Sequence, residues 1–281
     1  MQKRALAVHD ISCVGKCSLT VALPIISAAG IETSVLPTAV LSTHTGGFTG
    51  YTYRDLTSDI KPIMEHWKAL GLKVDAIYTG YLGSFEQLRL VEELFDTFGG
   101  KDDTLILVDP VMADNGVFYT SFTPEFAKGM AKLCGKADII VPNLTEAAFM
   151  LGEAYVGSGY DRAYIEGLLL RLSALGPKKV VLSGVTYEKG KLGAAAYDAE
   201  TGKYSYYFED EVEGYFHGTG DVFGSALLAA LMNGKTLDEA IKITVSFTVA
   251  AIKRTKAAGS DIRYGVDFEN CLGDLIKAVK A

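Results

Sequence analysis

The sequence predicts a single α/β domain, with a mostly parallel sheet covered by helices on both faces and an antiparallel edge. Three observations carry this. Short, continuously apolar runs alternate with amphipathic stretches, as strands buried on both faces alternate with the helices that cover them. Two β-type runs, 192–198 and 203–209, are split by Glu200-Thr-Gly and read as a hairpin. The 281 residues hold no linker, repeat or low-complexity tract, which fits one large domain.

In chain order, residues 4–9 are the first strand, and 18–29 have helical spacing that ends at Gly30, a C-cap. Residues 31–36 return to strand. Residues 42–52, STHTGGFTGYT, are polar and glycine-rich, so a mobile loop is expected. Residues 56–70 read as a helix despite Pro62 in its first turns, 76–79 as a strand, and 85–98 as a helix with a Leu/Val face. Residues 105–108 are a fully apolar strand ending at Asp109-Pro110. A helix opens with Pro124 and runs to 133, and 139–141 is a strand ending at Pro142-Asn143. Residues 164–175 are helical and 180–182 a strand; after the hairpin come helices at 222–232, 237–256 and 269–279.

Hydrophobic residues make up 49% and charged residues 22%, an ordinary globular composition. A net charge of −7 leaves no basic surplus for nonspecific nucleic-acid or anionic-membrane binding. Cys13, Cys17, Cys134 and Cys271 fit neither a zinc cluster nor a disulfide framework, so free thiols in a reducing compartment are expected. The N-terminal apolar run is too short for a signal peptide, and no stretch reaches the ~18–20 apolar residues of a membrane span. The expectation is a soluble, cytoplasmic protein.

In sheets of this kind ligands bind outside the carboxyl ends of the strands. Asp10, Gly80-Tyr81, Asp109, Asn143, Ser183 and the Gly218 turn all follow predicted strands. Taken singly, each is a turn former where a turn is needed; together they put polar groups along one rim. The stretch YFHGTGDVFGSALLAAL runs a glycine turn straight into an apolar helix. Gly218 and Gly220 let backbone amides approach a ligand, and the helix start adds its positive dipole end, which makes an anion hole. The spacing Gly218, Gly220, Gly224 is one residue too long for a dinucleotide fingerprint, and no Gly-Lys-Ser/Thr follows for a P-loop. Val14-Gly-Lys-Cys17 is a P-loop near miss.

Asp221 either caps its helix or faces an attacking hydroxyl and accepts its proton beside amides that hold a transferred phosphoryl group. Asn143 and Glu146 stand one helical turn apart; by themselves they are a capping pair. With Asp109 they bring two carboxylates and an amide to the rim, a hard-oxygen set that suits Mg²⁺ bridging phosphates. His44 lies in the glycine-rich loop, where it can touch a substrate, and His66 reads as a helix-surface residue.

These residues resemble the ribokinase-like superfamily through Gly218-Thr-Gly-Asp221, Asn143-Leu-Thr-Glu146 and Asp109-Pro-Val-Met112. Within it, DAIYTGYLGS at 75–84, DPVM and PNLTEA at 142–147 resemble the pyridoxal/pyridoxamine (vitamin B6) kinases, over nearly the whole chain. The resemblance implies a three-layer α/β/α fold and ATP-dependent phosphorylation of the 5′-hydroxymethyl of a B6 vitamer. It makes Asp221 the general base and Gly218, Thr219 and Gly220 the anion hole. Asp109, Asn143, Glu146, Ser183 and Thr219 would meet ATP, and Asp109 and Glu146 the Mg²⁺. Asp10, Thr45, Tyr81 and Asp221 would meet the vitamer, under residues 42–52 as a lid. A homodimer is also implied, and a monovalent cation such as K⁺ is left open. The chain departs from relatives at Asp10, where many carry serine, at Ser183, where some carry lysine, and at Gly46, where a polar residue is replaced.

Two other readings stand beside this one. A kinase of the same fold for hydroxymethylpyrimidine or a sugar would share the rim; the pyrimidine kinases often carry cysteine in the glycine turn, and sugar kinases carry further lid strands. A noncatalytic nucleotide- or vitamin-binding protein would have no use for a base at position 221.

Overall fold

Each central strand sends alternate apolar side chains to opposite faces of the sheet, and each face buries its own core. The computed structural model describes residues 2–99 and 104–281. The strands are β1 (Arg4–Val14), β2 (Glu32–Thr43), β3 (Tyr53–Asp55), β4 (Ala76–Thr79), β5 (Leu105–Val108), β6 (Ala113–Asp114), β7 (Val117–Phe118), β8 (Ile139–Ile140), β9 (Lys179–Val185), β10 (Lys191–Asp198) and β11 (Lys203–Asp210). The helices are α1 (Leu19–Ala28), α2 (Thr57–Ala69), α3 (Phe85–Leu94), α4 (Pro124–Cys134), α5 (Leu144–Leu151), α6 (Arg162–Ser173), α7 (Thr219–Met232), α8 (Leu237–Ala258) and α9 (Leu272–Lys280).

Nine strands form the main sheet in the order β11-β10-β9-β8-β5-β4-β1-β2-β3. From β9 to β2 all neighbours are parallel; β10 and β11 at one edge and β3 at the other are antiparallel. Leu6, Val8, Ile77, Ile106 and Val108 pack into one core with residues of α2 to α6. Ala5, Ala76, Tyr78 and Leu107 pack into the other with α1, α7, α8 and α9. This is the three-layer α/β/α arrangement of the ribokinase-like fold.

Several elements differ from the sequence expectation for local reasons. Residues 4–9 and 31–36 cover only the first parts of β1 and β2, which stay paired as far as Val14 and Thr43 after a register shift between His9 and Ile11. Beyond the shift the residues are mixed in polarity, so no continuous apolar run marks them. The helix expected at 85–98 ends at Leu94 and continues as a wider π-type turn over Phe95–Gly99. The β6–β7 hairpin was not foreseen, although Asn115-Gly116 is its signal: both residues have positive φ, 50° and 77°, as a tight hairpin turn demands. Ser183, expected just past a strand, lies inside β9 opposite Ala194.

The chain passes from β1 to β2 on one side and then returns to β4 on the other, so the strand order reverses between β1 and β4. In open α/β sheets ligands bind at such a reversal, outside the carboxyl ends of the strands. The α7 helix lies against this point: a Cβ on Gly224 would stand 2.3 Å from the Tyr78 hydroxyl oxygen. Gly224→Ala is expected to lose about 1–3 kcal/mol of stability through overpacking, read as a lower urea midpoint with an unchanged slope.

Candidate active site

The glycine turn owes its shape to backbone contact. Gly218 has φ +75°, and a Cβ there would lie 2.0 Å from the Lys16 carbonyl oxygen, so only glycine fits. Two residues on, a Cβ at Gly220 would meet nothing within 4 Å, so this side of the turn faces open space. The first-turn amides of α7 have no partner in their own helix and carry the positive end of the helix dipole. The Thr219 hydroxyl donates back to the Phe216 carbonyl at 3.1 Å.

Gly218 is the N-cap of α7, and no side chain caps this helix. Asp221, in the first turn, is therefore not the cap. One of its carboxylate oxygens accepts the backbone N–H of Ser18 at 2.8 Å. Burial raises its pKa to about 7, the Ser18 N–H opposes that rise, and the charge of Asp10 adds to it. A carboxylate that exchanges its proton near neutrality, beside a row of amides, can act as a base at an anion site.

Asp10 sits at the register shift of β1, where a bulge re-aims a side chain. It is buried, and its pKa is raised by burial against the hydroxyls of Ser18 and Ser12. The Ser12 hydroxyl stands 3.4 Å from it. Tyr81, two residues past β4, is half-buried, and burial followed by the charge of Asp10 pushes its phenol up. Thr45 is exposed in the loop between β2 and β3.

That loop is tied down by His44. Its Nε2 meets the Arg263 carbonyl at 2.7 Å, and its Nδ1 accepts the Gly46 N–H at 3.1 Å. Both ring nitrogens are thus used, and His44 braces the loop rather than offering a free group to a substrate. Phe48 packs edge-on against His44 and Tyr264, with ring centroids 4.9 and 5.2 Å apart. The loop is in this way joined to the residues near 263.

On the other side of the turn, Asp109 follows β5 and is buried. Its pKa is pushed well up by burial first, then by Glu146, then by Asp221. Among the described residues no hydrogen bond reaches its carboxylate. Glu146 is also buried, with its pKa raised by burial against hydrogen bonds from backbone N–H groups. One of its oxygens accepts the Met112 N–H at 3.1 Å and the other the Asn143 N–H at 2.9 Å. The Glu146 N–H in turn donates to the Asn143 side-chain oxygen at 2.9 Å, which completes a capping box on α5. The Asn143 amide also donates to the Ala113 carbonyl at 2.8 Å. The capping role and the placing of a buried carboxylate beside Asp109 are thus one arrangement. Ser183 sits near Asn143 through its N–H to the Pro142 carbonyl, 3.1 Å.

The structure brings Asp221, Asp10, Asp109 and Glu146 within electrostatic reach of one another in a chain. It does not join Thr45 to that group. Sequence reading missed the part played by residues 16–18, which touch both Gly218 and Asp221. Their only signal was the near-miss Val14-Gly-Lys-Cys17, which serves here as a prop for the turn rather than a phosphate loop.

Among the described residues, no group of three or more His, Cys, Asp or Glu side chains gathers as a metal centre. The two carboxylates of Asp109 and Glu146 nevertheless suit a hard cation such as Mg²⁺, which takes few protein ligands and fills its remaining positions with water and phosphate. The unpartnered, buried carboxylate of Asp109 beside a second acid is what such an ion would stabilise. Among the described residues, no helix is long and apolar enough to cross a membrane.

The sequence profile of the phosphomethylpyrimidine kinase family matches residues 25–265. A Bacteroides thetaiotaomicron protein, provisionally named a phosphomethylpyrimidine kinase and crystallised in a form with pyridoxal, superposes with a TM-score of 0.93 at 38% identity, covering 98% of this chain and 96% of that one. Pyridoxal kinase from Lactobacillus plantarum superposes with a TM-score of 0.90 at 29% identity, over 99% and 98% of the two chains. A Staphylococcus aureus protein provisionally named a pyridoxine kinase is 30% identical over 186 residues, which are 66% of this chain and 65% of that protein. A nine-stranded sheet between two helical layers, a family profile over residues 25–265 and near full-length superpositions on the Bacteroides and Lactobacillus proteins converge on one assignment: this chain belongs to the phosphomethylpyrimidine kinase family, ATP-dependent phosphotransferases of the ribokinase-like fold.

Proposed function

We propose that the protein transfers the γ-phosphoryl group of ATP to the 5′-hydroxymethyl of a B6 vitamer. The observation that carries this is Asp221, a carboxylate with its pKa raised to about 7, in the first turn of a helix that no side chain caps and held there by the Ser18 N–H. The alcohol oxygen attacks the γ-phosphorus and its proton passes to Asp221. The bond from that phosphorus to the bridging oxygen breaks, and ADP leaves with the electron pair. The amides of Gly218, Thr219, Gly220 and Asp221 hold the charge on the phosphoryl oxygens as it moves. Asp10 and Tyr81 face the ring of the acceptor, and residues 42–52 cover it, excluding water. Asn143, Ser183 and Thr219 line the nucleotide side.

Asp109 and Glu146 would hold Mg²⁺, which neutralises phosphate charge when bound. Glu146→Gln is expected to raise the Mg²⁺ concentration needed for half-maximal rate several-fold; an unchanged metal titration would count against this role.

Support for a B6 vitamer comes from the Bacteroides relative crystallised with pyridoxal and from the Lactobacillus pyridoxal kinase. A second reading, hydroxymethylpyrimidine as acceptor, is favoured by the family match itself. It would use the same base and amides. The noncatalytic reading leaves the raised pKa of Asp221 without a purpose. The test is product analysis by phosphorus NMR after incubation with ATP, Mg²⁺ and pyridoxal. A phosphate monoester coupled to the 5′-methylene protons is the expected product. Inorganic phosphate alone, or unchanged ATP, would contradict the proposal.

A further inference from the structure

We infer that Ser18 is a positioning residue for the base: the loop between β1 and α1 holds its backbone in a strained conformation so that its N–H fixes one oxygen of Asp221. This rests on the reading of Asp221 as the proton acceptor.

Ser18 has φ 54° and ψ −128°. This is a region that glycine occupies in mirror-image turns and that a Cβ disfavours, so a serine here carries strain. The other described non-glycine residues with positive φ, Asn115 and Ser121, lie in exposed turns. Ser18 is buried beside the site. Helix capping does not account for its conformation, since its side chain makes no capping hydrogen bond to α1. What the conformation does provide is the 2.8 Å bond from its N–H to Asp221, across 203 residues of chain.

The loop is built to keep that bond in place. The Lys16 N–H donates to the Tyr264 carbonyl at 2.9 Å, and the Lys16 ammonium pairs with Glu269 at 2.7 Å. The Lys16 carbonyl presses on Gly218 so closely that no Cβ fits between them. Ser18 itself bridges to Ile11 of β1. The loop therefore grips the catalytic turn at two points, Gly218 and Asp221, while anchored at its back to residues 264–269. With one carboxylate oxygen held, the other is left in a fixed direction for the incoming alcohol. A carboxylate free to rotate would spend only part of its time in that geometry.

The test replaces the amide of residue 18 with an ester, by suppression with the α-hydroxy analogue of serine. This keeps the side chain and removes only the N–H. The expected result is a fall in kcat of about tenfold, with KM for ATP and for pyridoxal unchanged within about twofold. Ser18→Gly keeps the N–H and suits a positive φ but loses the hydroxyl that meets Asp10, so its kcat is expected to fall less than that of the ester protein while its Tm rises. An ester protein with normal kcat overturns the proposal. So does a Ser18→Gly protein that loses as much kcat as the ester, and so does an ester protein whose loss lies in KM and Tm rather than kcat. Asp221→Asn is assayed alongside. Normal turnover by that variant removes the base reading itself, whereas an inactive Asp221→Asn with a normal ester protein removes only the role of Ser18.

Discussion

Asp221→Asn is expected to lose a factor of about 10²–10⁴ in kcat while ATP binding is retained. The side chain keeps its shape, and its amide oxygen can still accept the Ser18 N–H. The amides of the glycine turn are untouched, so the nucleotide phosphates keep their donors. What disappears is the proton acceptor. The same variant is expected to be more stable than wild type. The folded-state pKa of Asp221 is raised from 3.8 to about 7, so between those values the folded chain holds the proton more tightly than the unfolded chain does. Stability from this group is full below that window and falls as pH rises through it. A neutral amide removes the loss, so at pH 8 the Tm of Asp221→Asn should lie a few degrees above that of wild type. A gain in stability with a loss in rate is the pattern of a residue kept for chemistry. Near-normal turnover would contradict its role, whatever the Tm.

The wild-type pH profile carries the second large effect. A base works only when ionised, so kcat/KM is expected to fall about tenfold per pH unit once the pH drops below the raised pKa of the base. The acid limb should therefore bend at about 7, the value to which burial and Asp10 bring Asp221, rather than in the ordinary carboxylate range. Removing the charge of Asp10 by Asp10→Asn takes away one cause of the rise and should move the bend to lower pH. Initial rates of ADP release between pH 5 and 9 measure both. A flat profile down to pH 5 would contradict the account of the base.

Much of the fold was legible because the central strands are buried on both faces. Runs such as residues 105–108 are apolar at every position, and the helices between them show one apolar face. The flap formed by the ends of β1 and β2 with β3 was not legible, because its residues mix polar and apolar types and its strands are held by backbone pairing. That Asp221, Asp109 and Glu146 gather in one place was legible from local motifs that follow strands. Ser18 was not legible: its importance is a φ angle and a bond to a residue 203 positions away, neither of which any residue type encodes. His44 misled in the opposite sense. A histidine in a glycine-rich loop suggests a ligand contact, yet both of its nitrogens are spent on Arg263 and Gly46.

The choice of acceptor tests the central claim most directly. Purified protein with ATP and Mg²⁺ would be given pyridoxal, pyridoxine, pyridoxamine, hydroxymethylpyrimidine and ribose in turn, and kcat/KM for ADP release measured for each. The account predicts the highest value on a B6 vitamer, with hydroxymethylpyrimidine lower and ribose at background. A highest value on hydroxymethylpyrimidine or ribose, or tight binding of a vitamer with no ADP released from any mixture, would contradict it.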